Sequence, residues 1–84
     1  MEKRIGSALI MIEDSSIVPA LNELLTRHGN IIIGRQGIPL RDRQISIISL
    51  VLEGTTDEIG ALTGQIGRLK GVQVKSVLTK NKEQ

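Results

Sequence analysis

No cysteine, phenylalanine, tyrosine or tryptophan occurs among the 84 residues of this chain. Without cysteine, disulfides and thiolate metal sites are both excluded, and nothing points to an oxidising compartment. Without aromatics, the core must be filled by Ile, Leu and Val, and a binding site is denied the usual aromatic anchors. Long apolar runs are missing too. The longest, Ala8 to Ile12, falls far short of the roughly 20 residues of a membrane span, and the N-terminus lacks a signal-peptide pattern, so a cytoplasmic location is expected. Eleven basic residues against nine acidic ones give a net charge of only +2, too small an excess to argue for a polyanionic partner.

What remains is organised as one domain over residues 1–84. At this length only roughly 60–65% of the unfolded surface can be buried, and a second core cannot be built. Arg4 to Glu13 is β-branched and apolar enough for a strand, and Glu13-Asp14-Ser15-Ser16 supplies a turn and a helix cap. With Ser16 as cap, Pro19 falls in the first helical turn, where its missing N–H has no partner to lose. Ile17, Leu21, Leu24, Leu25 and His28 recur at helical spacing on one face, and Gly29 is expected to end the helix in a left-handed conformation. Ile31 to Gln36 predicts a short second strand and Gln44 to Glu53 a long third one, joined as a hairpin by residues 37–43. Thr55-x-x-Glu58 is a capping box, followed by Ile59, Leu62, Ile66 and Leu69 on one face of a second helix that stops at Gly71. Val72 to Leu78 alternates as a last, half-exposed strand, and residues 79–84 form a polar, frayed tail.

The order βαββαβ is the ferredoxin-like split-βαβ plan, an α+β fold with a four-stranded antiparallel sheet, strands one and three central, and two helices on one face. Both central strands are apolar on both sides: Ile5, Leu9 and Met11 against Ala8, Ile10 and Ile12, and Ile45, Ile47 and Val51 against Ile48, Leu50 and Leu52. Two helices cover one face only. The other needs a second layer, most simply another copy of the chain, so a homo-oligomer, dimer or tetramer, is expected. Ile31, Ile32 and Ile33 on an edge strand need cover as well, which makes Ile31 and Ile33 candidate interface residues. Gly60, Gly64, Gly67 and Gly71 form a stripe on the second helix opposite its apolar face. Each interior glycine costs on the order of 1 kcal/mol relative to Ala. The stripe reads either as a surface for close backbone contact, with Gly60, Gly64 and Gly67 at an interface, or as an exposed face free of selection.

The residues Asn22-Glu23-Leu24-Leu25, Gly34 to Pro39, Ile59 to Gly64 and Gly71 to Lys75, together with the N-terminal Met-Glu-Lys-Arg strand, resemble the iron-only hydrogenase system regulator family over nearly the whole chain. That family is similar to ACT domains and to the ligand-binding C-terminal domain of the nickel-responsive repressor. The resemblance implies a ferredoxin-like fold, oligomerisation and a regulatory role. It does not extend to nickel, whose site in the repressor needs several His and a Cys, whereas only His28 is present here. Nor does it extend to amino-acid binding, because the ACT turn between strand one and helix one carries a Gly where this chain has Glu13-Asp14-Ser15-Ser16.

Other functions of the same fold fail on chemistry. Metal chaperones need Cys-x-x-Cys, RNA-recognition domains need strand aromatics, and acylphosphatases need a Gly-rich phosphate loop where this turn is acidic. No Ser/His/carboxylate arrangement or paired acid suggests catalysis, so no enzyme, no cofactor and no metal are expected. Asp57 and Glu58 fit a helix's first turn, and His28 fits a packed position near a helix C-terminus. The best candidate for ligand binding is Gly34, Arg35, Gly37, Ile38 and Pro39 with Arg41 and Arg43, where glycine backbone and guanidinium forks could meet a carboxylate or phosphate. The competing reading is a solvated hairpin with Asp42 pairing an arginine. The chain is thus expected to be a regulatory or effector-binding module with a small-molecule effector and a protein partner. A scaffold subunit is the alternative. Nucleic-acid binding through Arg35, Arg41, Arg43, Lys70 and Lys75 is disfavoured, since no helix-turn-helix or ribbon-helix-helix is present.

Overall fold

The computed structural model describes residues 2–80. It consists of β1 (Arg4–Ile12), a 3-10 turn (Ser15–Ile17), α1 (Val18–Arg27), a second 3-10 turn (Gly29–Ile31), β2 (Ile32–Leu40), a third (Arg41–Arg43), β3 (Ile45–Gly54), α2 (Thr56–Gly67) and β4 (Val72–Leu78). The strands form one antiparallel sheet in the order β2-β3-β1-β4, so the two strands that are apolar on both sides occupy the centre. This is the βαββαβ arrangement anticipated from the sequence.

The period-2 alternation of the strands sorts their side chains cleanly. Ala8, Ile10 and Ile12 of β1 and Ile48, Leu50 and Leu52 of β3 face the helices and are buried with Leu21, Leu24 and Leu25 of α1, Ile59, Leu62 and Ile66 of α2, and Ile31. Every large member of this core is aliphatic. The capping box is formed: Thr55 Oγ1 accepts from the Glu58 N–H at 3.1 Å, and Glu58 Oε1 accepts from the Thr55 N–H at 2.8 Å.

Four local expectations are corrected. Asp14, not Ser16, is the cap: its carboxylate accepts from the Ser16 N–H at 3.0 Å and from its hydroxyl at 2.7 Å, closing a side-chain turn that starts a 3-10 segment before α1. Pro19 still lies within the first helical turn. Gly29 is not left-handed, because the chain leaves α1 through His28 into another 3-10 turn, whose Ile31 N–H donates to the His28 carbonyl. β2 does not stop at Gln36 but runs to Leu40. Thr79 is no frayed residue: its N–H and hydroxyl both donate to the Ile5 carbonyl, at 2.9 and 2.8 Å. Of the rest of the expected tail, residues 81–84 lie outside the described residues.

Gly71 is where a glycine is required. It has φ of +78°, a Cβ there would sit 2.8 Å from Asp14 Cβ, and its carbonyl accepts from the Glu13 N–H at 2.8 Å. Left-handed strain and the collision add, so Gly71→Ala is expected to destabilise the fold by about 2 kcal/mol. Urea denaturation of the two proteins measures this, and an unchanged midpoint would contradict it.

Candidate functional site

The hairpin β2–β3 reaches beyond the helices, and it carries the residues that the sequence marks as a binding segment. Gly34, Gly37 and Pro39 look like breakers, yet pairing with β3 is continuous from Gly34 opposite Val51 to Leu40 opposite Ile45. Two circumstances permit this. β2 is an edge strand, so Pro39 has no ladder bond to lose on its open side. The irregularity is absorbed by a bulge between Ile32 and Gly34, which leaves Ile33 as the extra residue, 58% exposed. Arg41–Arg43 then turns the chain, with Gln44 left-handed at φ 56°.

On the helix side of this arm, where α1 begins and no helix covers the strands, lies a groove of about 280 Å³. Ile12, Ile48, Val18 and Pro39 give it apolar walls, and Arg35, Asn22 and Ser46 bring polar groups. Gly37 lies opposite Ile48 in the ladder, and a Cβ built on it would meet nothing within 4 Å. The Arg35 guanidinium donates to Asn22 Oδ1 at 3.5 Å, a long bond to a neutral acceptor. Among the described residues the one ion pair is Arg27 with Glu23 at 3.3 Å. Arg35 therefore has no carboxylate partner there, and Asp42 does not neutralise Arg41 or Arg43. A larger hollow of about 410 Å³ lies at the hairpin tip, but it is lined only by the five consecutive residues Pro39–Arg43. No other part of the fold closes over it.

Of the residues singled out in the sequence, Arg35, Gly37, Ile38 and Pro39 line the groove, whereas Arg41 and Arg43 sit at the tip and Gly34 lies beside the bulge. Asn22, Ser46, Val18, Ile12 and Ile48 join from three other elements and were not anticipated. The signal, a glycine inside a strand, was hidden because the sequence places Gly37 in the connection after Gln36, whereas β2 runs to Leu40.

The sheet face turned away from the helices carries Ile5, Leu9, Val51, Val77 and Ile38, which are 43%, 52%, 43%, 69% and 41% exposed. By ladder register it also carries Met11 and Ile47, with Glu53 and Lys75 as its charged residues. Ser7, on the same face, turns its hydroxyl to the Leu50 carbonyl at 3.0 Å. The expected interface residues lie elsewhere. Ile31 is in the core at 3% exposure. The glycine stripe does not continue as one surface: Gly60 and Gly64 face open space, Gly67 would place a Cβ 3.6 Å from Val74, and Gly71 is in the turn before β4.

Several acidic residues have structural tasks. The Asp14 carboxyl is held below its ordinary pKa, chiefly by the Ser16 hydroxyl and then by the Ser16 N–H. Glu58 closes the capping box, and Glu13 accepts from Gln73 at 3.4 Å. His28 bridges the two helices, its Nε2 3.4 Å from Gln65 Oε1. No helix among the described residues is long and apolar enough to cross a membrane.

Comparison with known proteins places this architecture. A family model described as "Iron-only hydrogenase system regulator, putative" matches residues 4–76. The structure of the uncharacterized protein TM1266 from Thermotoga maritima is 39% identical, with a TM-score of 0.89 over 94% of this chain and 100% of that one. The C-terminal domain of the MgtC protein from Mycobacterium tuberculosis superposes with a TM-score of 0.70 at 10% identity, over 93% of this chain and 89% of that one. An unknown protein from Galdieria sulphuraria gives 0.63 at 13% identity, over 95% of this chain and 47% of that one. The last two speak for the fold alone. No curated protein matches the chain.

Proposed function

The chain belongs to the iron-only hydrogenase system regulator family, and on that premise we propose that it is a non-catalytic, homo-oligomeric regulatory module that takes a small effector and acts through a protein partner. The observation that carries this reading is the apolar sheet face opposite the helices. Four strands about 4.8 Å apart, seven to ten residues long, present on the order of 500 Å² in projection, which side-chain relief brings towards the roughly 800 Å² that each partner contributes to a standard interface. Within the ladder the face holds one acid and one base, Glu53 and Lys75, with Glu13 at its rim on Gln73, so its charge is small and it is suited to a copy of itself.

Direct action on nucleic acid fits the arrangement less well. Lys75 lies on the open sheet face and Arg35 on the helix side, so the basic residues do not form one patch. Regulation then passes through another protein.

Loss of the chain from its source cells is expected to change iron-only hydrogenase activity or transcript level several-fold, and a variant that cannot assemble should reproduce the loss. Unchanged activity and transcripts in the absence of the chain would overturn the regulatory reading.

A further inference from the structure

We propose that the groove between α1 and the hairpin arm binds a small aliphatic carboxylate: one anionic head, a short or branched hydrocarbon body and no ammonium group. The inference rests on the effector-binding part of the reading above and names its ligand class and site.

Gly37 is the first support. A glycine inside a strand weakens it, and such positions often mark a place where a ligand or another backbone comes close. Gly37 needs neither a positive φ nor relief from a clash, since its backbone is ordinary and nothing lies within 4 Å of a Cβ there. What its missing side chain does is keep the groove open above Ile48.

Arg35 is the second. Its guanidinium leans on the neutral Asn22 at 3.5 Å and has no carboxylate within ion-pair distance among the described residues. A planar fork so placed matches a carboxylate with two parallel N–H bonds, and the Ser46 hydroxyl offers one more donor in the same groove.

The remaining lining sets the body of the ligand. Ile12, Val18, Ile48 and Pro39 suit hydrocarbon. Among the described residues no Asp or Glu lines the groove, so an ammonium group brought in with the ligand would find only the neutral oxygens of Asn22 and Ser46 in place of its water, with no carboxylate to match its charge. Amino acids are thereby disfavoured against the acids that lack the amine. About 280 Å³ lies below the usual range for drug-sized ligands, which limits the occupant to about ten non-hydrogen atoms.

The test is an amide-resolved NMR titration of the full chain with 4-methylpentanoate, L-leucine and inorganic phosphate, each up to about 20 mM, the range where a ligand this small is expected to saturate. Saturable shifts at Arg35, Gly37, Val18 and Ile48 are expected with 4-methylpentanoate. Leucine should bind at least about tenfold more weakly, and phosphate should leave the apolar walls unshifted. Gly37→Val fills the groove with a good strand former and should abolish saturation while keeping a dispersed spectrum. Arg35→Gln should weaken binding about tenfold or more, and Arg41→Gln at the tip should not. The absence of saturable shifts, equal binding of leucine, or equal loss in Arg41→Gln would each overturn the proposal. The assembly mass of the same samples separates the two readings: an oligomer without ligand shifts overturns the site alone, whereas a monomer that binds the acid upholds the site and overturns the assembly.

Discussion

A Leu9→Glu variant is expected to remain folded yet run as a single 9.1 kDa chain, whereas the parent protein is expected to run as an oligomer. Leu9 lies on β1, at the middle of the open sheet face and 52% exposed, so it contributes little to the core beneath. Its neighbours across the ladder are Ser49 and Lys75, and a glutamate beside Lys75 makes a favourable cross-strand pair that supports the isolated sheet. Pressed against a second copy, the same carboxylate must lose its water on both sides of the interface. Even with Lys75 beside it, burying the pair costs several kcal/mol of desolvation per ion, which one cross-strand contact does not repay, so the dissociation constant should rise about a thousandfold or more. Sedimentation velocity of the two proteins reads the difference. A Leu9→Glu protein that keeps the parent's mass would place the interface elsewhere.

Leu50→Ala is expected to do the opposite, damaging the fold from within. Leu50 is fully buried at the centre of β3, between Ala8 of β1 and Arg35 of β2 in the ladder. Leucine-to-alanine changes at such sites cost about 2–5 kcal/mol. A core without aromatic rings has no large neighbour to swing into the cavity, which argues for the upper half of that range. For a domain of this size the loss corresponds to a fall in Tm of roughly 15–40 °C. Val51 is the control, one residue along on the open face. In the Leu9→Glu background, Val51→Thr should shift Tm by less than about 3 °C, whereas in the parent protein it should weaken assembly. Thermal melts by circular dichroism decide this, and a small effect of Leu50→Ala would mean that the two faces of β3 have been assigned the wrong way round.

The difference between Leu50 and Val51 was legible in the sequence, because strand alternation is strict and both central strands are apolar on both sides. The start of the second helix was equally plain, since Thr55 and Glu58 lock it, but its end was not: α2 stops at Gly67, short of Leu69 and of the expected end at Gly71, because a turn closed by the left-handed Gly71 intervenes before β4. The second strand was harder. Gly34, Gly37 and Pro39 have poor strand propensity, and only the ladder with β3, on an edge that tolerates proline, draws residues 34–40 into the sheet. Propensity is local and this pairing is not. The same distinction explains the groove: Arg35 and Gly37 were visible as candidates, but Asn22 comes from α1 and Ser46 from β3, and no spacing rule connects them. Of the interface candidates, Ile31 turned out to be core, and Gly60 and Gly64 border open space; they were picked from local features of composition. The larger apolar face, with Leu9 and Val51 at its centre, follows from the sheet as a whole.

The state of association of the unmodified protein decides whether the open sheet face is covered. Native mass spectrometry of the full chain, purified gently enough to retain small molecules, should give an even multiple of 9.1 kDa, with masses above that multiple reporting a retained effector. A monomer at micromolar concentration, with its apolar sheet face bare, would contradict the proposal that this protein works as an oligomer.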